Sequence, residues 1–390
     1  MNNLCTDIGW RSLNHVGEEL CGDCVEIVEP TEDSIIVVLA DGLGSGVKAN
    51  ILSTLTSKIL STMMANELSV EDCISTVAAT LPVCAERGVA YSTFTIIKII
   101  NNSEAEIIEY DNPAVILLRD GKNIEIPKTA SEIEGKTIYR SRIPIKLHDI
   151  FIALSDGAIY AGVGKTLNYG WQRENIVEFM EMMTNIEFTA KTLTTMLLDE
   201  CNKLYGGEPG DDTTVCTVKI RERSPVNLMI GPPANPDDVG KMMSLFFAKH
   251  GRHIVCGGTT SELAAKFLGQ SLVPKLEYVD PEIPPTATID GVDLVTEGVI
   301  TINRVLEYAK NYLEDNESYI EWGYKKDGAS KIARMLFEQA TDINFYVGRA
   351  VNPAHQNPNL PINFSIKMRL VEELSDCLKR MGKKIKVSYF

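Results

Sequence analysis

At 390 residues the chain is too long for one comfortable core, so two domains are expected. Its 44% hydrophobic and 23% charged residues are those of an ordinary globular protein, while a formal net charge of −15 excludes the basic footprint that nucleic-acid backbones require. Nine cysteines without framework spacing exclude a disulfide-stapled mini-domain.

The opening MNNLCTDIGW lacks the charged-then-apolar pattern of a signal peptide. No apolar run reaches the ~20 residues that a membrane helix needs. A cytoplasmic setting is expected, with no membrane and no nucleic-acid partner, and a homodimer is compatible with the chain. Ser34 to Ala40, SIIVVLA, is short and β-branched and reads as a buried strand. It ends on Asp41, and Gly42, Gly44 and Gly46 follow. From Val47 a helical period begins, with Val47, Ile51, Leu55 and Ile59 on one stripe to about Met64. Ser69 caps a second helix with Glu71 and Asp72 in its first turn. Strands are expected over Tyr91–Ile100, Glu104–Asp111 and Asp149–Asp156, with a hairpin turning at Asp120-Gly121. Two helices precede a strand over Thr213–Ile220. Hairpin-linked strands with helices inserted in pairs indicate an antiparallel α+β arrangement.

Arg221 to Val226, RERSPV, reads as a linker. Beyond it strands and helices alternate. VNLMIG is followed by a helix with Asn235 as N-cap and Pro236 at its first position, then HIVCGG and a second helix. DLVTEG and VITINRVLEYAKNYLED repeat the step, and DINFYVG and KKIKVSYF flank a last helix. This pattern argues for a smaller α/β domain with a partly parallel sheet. The expected domains are therefore 1–222 and 227–390.

Five acids of the first half, at four places in the chain, share one punctuation. Asp23 lies in LCGDCVEI, Asp41 in LADGLGSG, Asp156 in ALSDGAIY, and Asp211 with Asp212 in GEPGDDTTV. Each puts a carboxylate at the edge of a buried sheet. Hard cations such as Mg²⁺ and Mn²⁺ take oxygen ligands, so such a cluster without His or Cys suits them. Each Asp-Gly taken alone reads as a turn, and Asp120-Gly121 is one. Cys21 and Cys24 form a C-x-x-C with no second Cys or His pair nearby, which makes neither a zinc nor a redox site by itself.

The order GD at Gly22-Asp23, DGLGSG at Asp41–Gly46, SDG at Ser155–Gly157 and DDTT at Asp211–Thr214 resembles the metal-dependent type 2C protein phosphatases. It is most similar to their bacterial branch, typified by stage II sporulation protein E, over about residues 5–221. The resemblance implies an α-β-β-α four-layer sandwich. It implies two divalent cations, Mn²⁺ or Mg²⁺, with Asp41 bridging both and the Gly42 carbonyl and Asp23 on the second. Asp156 and Asp211 would bind the first, with Asp212 supporting them; Asp41, Asp156 and Asp211 are then the catalytic set. Two cations held together lower the pKa of a shared water, which attacks phosphorus without a side-chain nucleophile. The implied activity is a serine/threonine protein phosphatase acting on a phosphorylated protein, such as an anti-sigma-factor antagonist. Gly44 and Gly46 would turn the backbone under the ions, with Ser45 capping the helix. Leu43 stands where eukaryotic members carry His, as in the sporulation branch, and Arg11 reads as a surface residue. The rivals are a scaffold working through its α/β domain and a small-molecule phosphohydrolase.

In the second half, Gly257-Gly258 end a strand and three hydroxyl residues open a helix. This is neither G-x-G-x-x-G nor a Walker loop, and reads as an N-cap after a glycine turn. His355 lies in a Pro/Asn-rich loop over 351–361 and reads as a solvated side chain. The second domain is expected to regulate or to dock a partner.

Overall fold

Strand β3 (Ser34–Asp41) is apolar on both faces, and the fold explains why. Ile35, Val37 and Leu39 point into one core, while Ile36, Val38 and Ala40 point into another. A strand reads as a continuous hydrophobic run only when both faces are covered. In this computed structural model, which describes residues 3–80, 92–275, 279–314, 322–350 and 366–390, they are.

The chain divides into two compact units, Met1–Glu222 and Arg223–Phe390. In the first, β2 (Asp23–Thr31), β3, β4 (Thr93–Ile100), β5 (Glu104–Tyr110), β8 (Thr129–Ile133) and β9 (Lys136–Pro144) form an antiparallel sheet in the order β2-β3-β4-β5-β9-β8. A second antiparallel sheet runs β1-β11-β10-β6-β7, from β1 (Leu4–Leu13), β11 (Thr213–Glu222), β10 (Ile150–Leu154), β6 (Ile116–Arg119) and β7 (Lys122–Ile124). Val37 and Leu39 meet Phe151, Cys216 and Val218 between the sheets. Helices α1 (Gly46–Ala65) and α2 (Val70–Thr80) cover the outer face of the first sheet. Helices α4 (Arg173–Met183) and α5 (Ala190–Leu204) cover that of the second. The result is the expected α-β-β-α sandwich. Asp120 and Gly121, both at positive φ, turn the β6–β7 hairpin, and the Ser69 hydroxyl accepts from Asp72 N–H at the start of α2.

Three local expectations are corrected. Most of the stripe on α1 faces outward: Val47, Ile51 and Leu55 are 62%, 52% and 42% exposed, and only Ile59 packs against the core. The helix buries Ala49, Ser53, Ser57, Leu60, Ser61 and Met64 instead. Ser53, Ser57 and Ser61 each donate back to the carbonyl three residues earlier, so their hydroxyls enter the core already satisfied. Ser45 occupies the N-cap of α1 but makes no capping bond; its hydroxyl donates to Glu18. The supposed linker is largely strand, since Arg221 and Glu222 finish β11 and Pro225 opens β12 (Pro225–Ile230).

In the second unit a seven-stranded sheet runs β14-β15-β16-β13-β12-β17-β18. Its strands β16 (Leu294–Thr296), β13 (Arg252–Cys256), β12, β17 (Asp342–Val347) and β18 (Lys384–Tyr389) are parallel. In chain order these five read 3-2-1-4-5, a doubly wound sequence. Short β14 (Val273–Pro274) and β15 (Ala287–Thr288) add an antiparallel edge. Helices α6 (Val239–Phe247) and α7 (Gly258–Leu268) pack on one face. Helix α8 (Val299–Leu313) and the helices Gly328–Ala333 and Ile366–Arg380 pack on the other. His355 and its loop lie outside the described residues. No helix among the described residues is long and apolar enough to cross a membrane.

The reversed face of α1 is testable by denaturant unfolding. Leu60, fully buried, should lose about 2–5 kcal/mol on Leu60→Ala. Ile51→Ala should stay within about 0.5 kcal/mol of the parent. Equal losses at the two positions would contradict the assigned face.

Candidate metal centre

The register of β2 on β3 creates the centre. Asp23 is the first residue of β2, Asp41 the last of β3, and the two are directly opposed. Like charges at opposed positions repel. Asp156 opens the short helix α3 (Asp156–Ile159), one residue after β10, rather than ending the strand as expected. Ser155 holds that turn: its N–H donates to the Thr214 carbonyl, and its Oγ accepts from Thr214 N–H at 2.8 Å. Asp211 and Asp212 immediately precede β11, the neighbour of β10.

The acids meet as a chain. Asp41 is influenced by the charges of Asp23, Asp156 and Asp211, and Asp23 by that of Asp212. Burial first, and then these like charges, push the Asp41 carboxyl well above the ordinary carboxylate range. Asp23, Asp156 and Asp211 are also raised, each chiefly by burial. Among these influences the only basic group is His15, which eases Asp211. The Thr214 and Ser155 hydroxyls near Asp23 offset its shift only in part. Thr214 also shares a hydrogen bond with Ser12 at 2.7 Å, and Ser155 Oγ accepts from Thr214 N–H.

Asp23 is 5% exposed, and neither of its carboxylate oxygens has a hydrogen-bond partner. Asp212 Oδ1 accepts from His15 N–H at 2.9 Å, but its buried Oδ2 has no partner. Three buried, unpaired carboxylate oxygens are costly without a cation. The donor set is all oxygen, which fits Mg²⁺ or Mn²⁺ in kind. Among the described residues no three such side chains already close on one point, so the acids converge pairwise rather than as a finished cage.

Glycines make the convergence possible. A Cβ on Gly42 would lie 2.1 Å from the Ala49 carbonyl oxygen, in the first turn of α1. One on Gly22 would lie 2.7 Å from Asp212 Oδ2, and one on Gly157 2.3 Å from the Asp212 carbonyl oxygen. Gly44 and Gly46, at φ +91° and +70°, carry the chain from Asp41 into α1. The Gly42 N–H donates to the Gly22 carbonyl at 3.1 Å and ties the two loops together. Tyr205 OH donates to the Gly157 carbonyl at 2.7 Å. Arg11 pairs with Asp199 at 3.3 Å on an exposed face, in keeping with a surface role. Sequence reasoning missed His15. The signal lies in the β1–β11 pairing, which opposes Leu13 to Thr213 and so carries His15 back beside Asp211 and Asp212.

In metal-free protein the raised carboxyls keep protons that the unfolded chain has already released. The folded state then binds more protons than the unfolded one above the ordinary carboxylate range, so stability falls as pH rises. Asp41→Asn should therefore raise the melting temperature in EDTA, more at about pH 8 than at about pH 5. It should also remove most of the stabilisation by Mn²⁺. Thermal unfolding with and without Mn²⁺ tests both, and an equal Mn²⁺ response in variant and parent would remove Asp41 from the site.

Residues 31–221 match the family model for stage II sporulation protein E (SpoIIE). None of the curated proteins matches the chain. Among solved structures, the PP2C phosphatase domain with a fragment of the regulatory domain of SpoIIE from Bacillus subtilis is 19% identical, with a TM-score of 0.48. That match covers 57% of this chain and 65% of that one. The RsbU and RsbW domains of a Mycobacterium tuberculosis protein are 15% identical, covering 83% and 78%, with a TM-score of 0.48. The catalytic domain of the serine threonine protein phosphatase PstP in complex with two manganese ions is 16% identical, covering 56% and 100%, with a TM-score of 0.39.

Proposed function

Residues 31–221 belong to the stage II sporulation protein E family of PP2C-like metal-dependent phosphatases, and from that premise we propose that the chain is a Mn²⁺- or Mg²⁺-dependent serine/threonine protein phosphatase. One observation carries the reading: a run of half-buried to buried carboxylates in which Asp23 and Asp212 carry unpaired buried oxygens. Such a run is a poor structural element and a good seat for two cations.

In this reading Asp41, Asp23 and the Gly42 carbonyl would hold one ion, and Asp41, Asp156 and Asp211 the other. Asp212, tied to His15 N–H, orients its neighbours. Two divalent cations, when bound, supply a water nucleophilic at neutral pH and neutralise the charge of a phosphate ester. The chain's own part is to hold the acids at fixed strand ends and to exclude competing hydrogen bonds from their oxygens. No side-chain nucleophile is required.

The substrate is read as a phosphoserine or phosphothreonine in a protein, of the anti-sigma-factor antagonist kind. Leu20 and Tyr160, 45% and 53% exposed, stand three and four residues from Asp23 and Asp156. Exposed apolar residues so near the acids in sequence are in keeping with a polypeptide substrate. The setting is read as cytoplasmic bacterial signalling, and residues 223–390 as a regulatory or partner-binding domain.

The test is hydrolysis of p-nitrophenyl phosphate and of a phosphoserine protein, with and without Mn²⁺. Turnover should require the metal. Asp41→Asn and Asp156→Asn should each reduce it by more than the roughly 10–100-fold that supporting residues cost, and Asp212→Asn by about that amount. Wild-type protein that binds Mn²⁺ by calorimetry yet hydrolyses neither substrate would favour the scaffold reading. Preference for metabolite phosphates over the phosphoprotein would favour the small-molecule phosphohydrolase.

A further inference from the structure

The second unit carries a helix entry that its own side chains leave open. It stands at the carboxyl end of a parallel strand. There β13 ends at Cys256, and Gly257, at φ +105°, turns directly into α7. The hydroxyl cap expected from the sequence is not made: the N-cap is Gly257, with no side-chain bond. Ser261 turns its Oγ back to the Gly257 carbonyl at 2.8 Å. Side chains serve the approaches to other helices of this unit, although the α6 N-cap, Asp238, makes no capping bond itself. Asn235 accepts from Asp237 N–H before α6, Glu297 from Ile300 N–H at α8, and Asp327 from Ser330 N–H in the helix Gly328–Ala333.

A second observation points the same way. Thr260 is 1% exposed, and its Oγ1 has no hydrogen-bond partner. It is aimed at the helix entry, 3.3 Å from where a Cβ on Gly257 would stand. A buried hydroxyl left unpaired costs stability without a compensating function. The neighbouring turn after β16 presses close, since a Cβ on Gly298 would lie 3.4 Å from the Gly257 Cα. That turn brings Glu297, half-buried, whose Oε2 serves α8. The exposed face is bare: Gly258 has nothing within 4 Å of its Cβ position.

We propose that the entry of α7 is a binding site for a small phosphate monoester, held by the amides of Gly258 and Thr259 and by the Thr260 hydroxyl. Amides at a helix start favour tetrahedral oxyanions. Glu297 offers a carboxylate oxygen, which accepts hydroxyl groups, so the phosphate is one carried on a sugar or nucleoside.

The test uses the full chain in EDTA, so that the acidic centre of the first unit holds no metal to bind phosphate. Glucose 6-phosphate, AMP and inorganic phosphate are titrated by calorimetry against wild type, Thr260→Val and Gly258→Asp. Gly258→Asp fits sterically and places a carboxylate in the first turn of α7, so it should keep or raise the melting temperature. At least one monoester should bind wild type more tightly than inorganic phosphate does. Both variants should lose about tenfold or more in affinity, the worth of a hydrogen bond to a charged group. No monoester binding, or binding that both variants retain, would overturn the proposal. Binding of inorganic phosphate alone would reduce the site to an adventitious ion only, and a phosphopeptide bound in place of both monoesters would overturn the ligand class.

Discussion

Two carboxylates are forced to face each other at the paired ends of β2 and β3, and much of the first unit is built around that conflict. The pair cannot slip apart. A shift of one residue in β3 would exchange Ile35, Val37 and Leu39 with Ile36, Val38 and Ala40 between two different cores. The hydrophobic effect thus fixes the register, and the register fixes Asp23 opposite Asp41. Burial, together with the charges of neighbouring acids, then raises both carboxyls. The pair is costly to the fold, and in the proposed function a divalent cation would offset that cost.

The glycine pattern follows from the same constraint. To bring Asp212 against the β2–β3 end, the chain must pass backbone against backbone at Gly157 and admit a carboxylate at Gly22. To bring α1 down beside Asp41, Gly42 must lie against Ala49. The glycines beside Asp23, Asp41 and Asp156 are thus packing requirements. This is the physical content of the GD, DG and SDG spellings. An Asp-Gly that only turns looks different: Gly121, after Asp120, has open space at its Cβ position.

What was legible in the sequence was the part governed by apolar burial. β3, β4, β5, β10 and β11 announce themselves because both faces are covered, and the acids at their ends could be read as punctuation. The face of α1 could not be read that way. Periodicity counts Ser53, Ser57 and Ser61 as polar, yet each spends its hydroxyl on its own helix and packs as a small residue. The same helix shows solvent the Val47–Ile51–Leu55 stripe that hydropathy would bury. β8 and β9 escaped because they form an edge hairpin with mostly exposed, charged side chains, such as Glu132, Lys136 and Arg140. His15 escaped for a different reason: its place beside Asp212 depends on strand pairing almost 200 residues away in sequence, at a separation of 197.

The two units also answer the same electrostatic question in opposite ways. A chain of net charge −15 meets phosphate at a disadvantage. In the proposed function the acids of the first unit become the means of binding, because carboxylates that repel phosphate attract the cations that would hold it. At the proposed site of the second unit the donors are backbone amides. An amide carries no net charge, so a helix entry can favour an anion even inside an acidic protein. That requires the entry to be free of its own acids, and α7 meets the condition where α8, closed by Glu297, does not. Glycine serves both solutions: beside Asp212 it makes room for a carboxylate, and at Gly257 and Gly258 it leaves the amides uncovered.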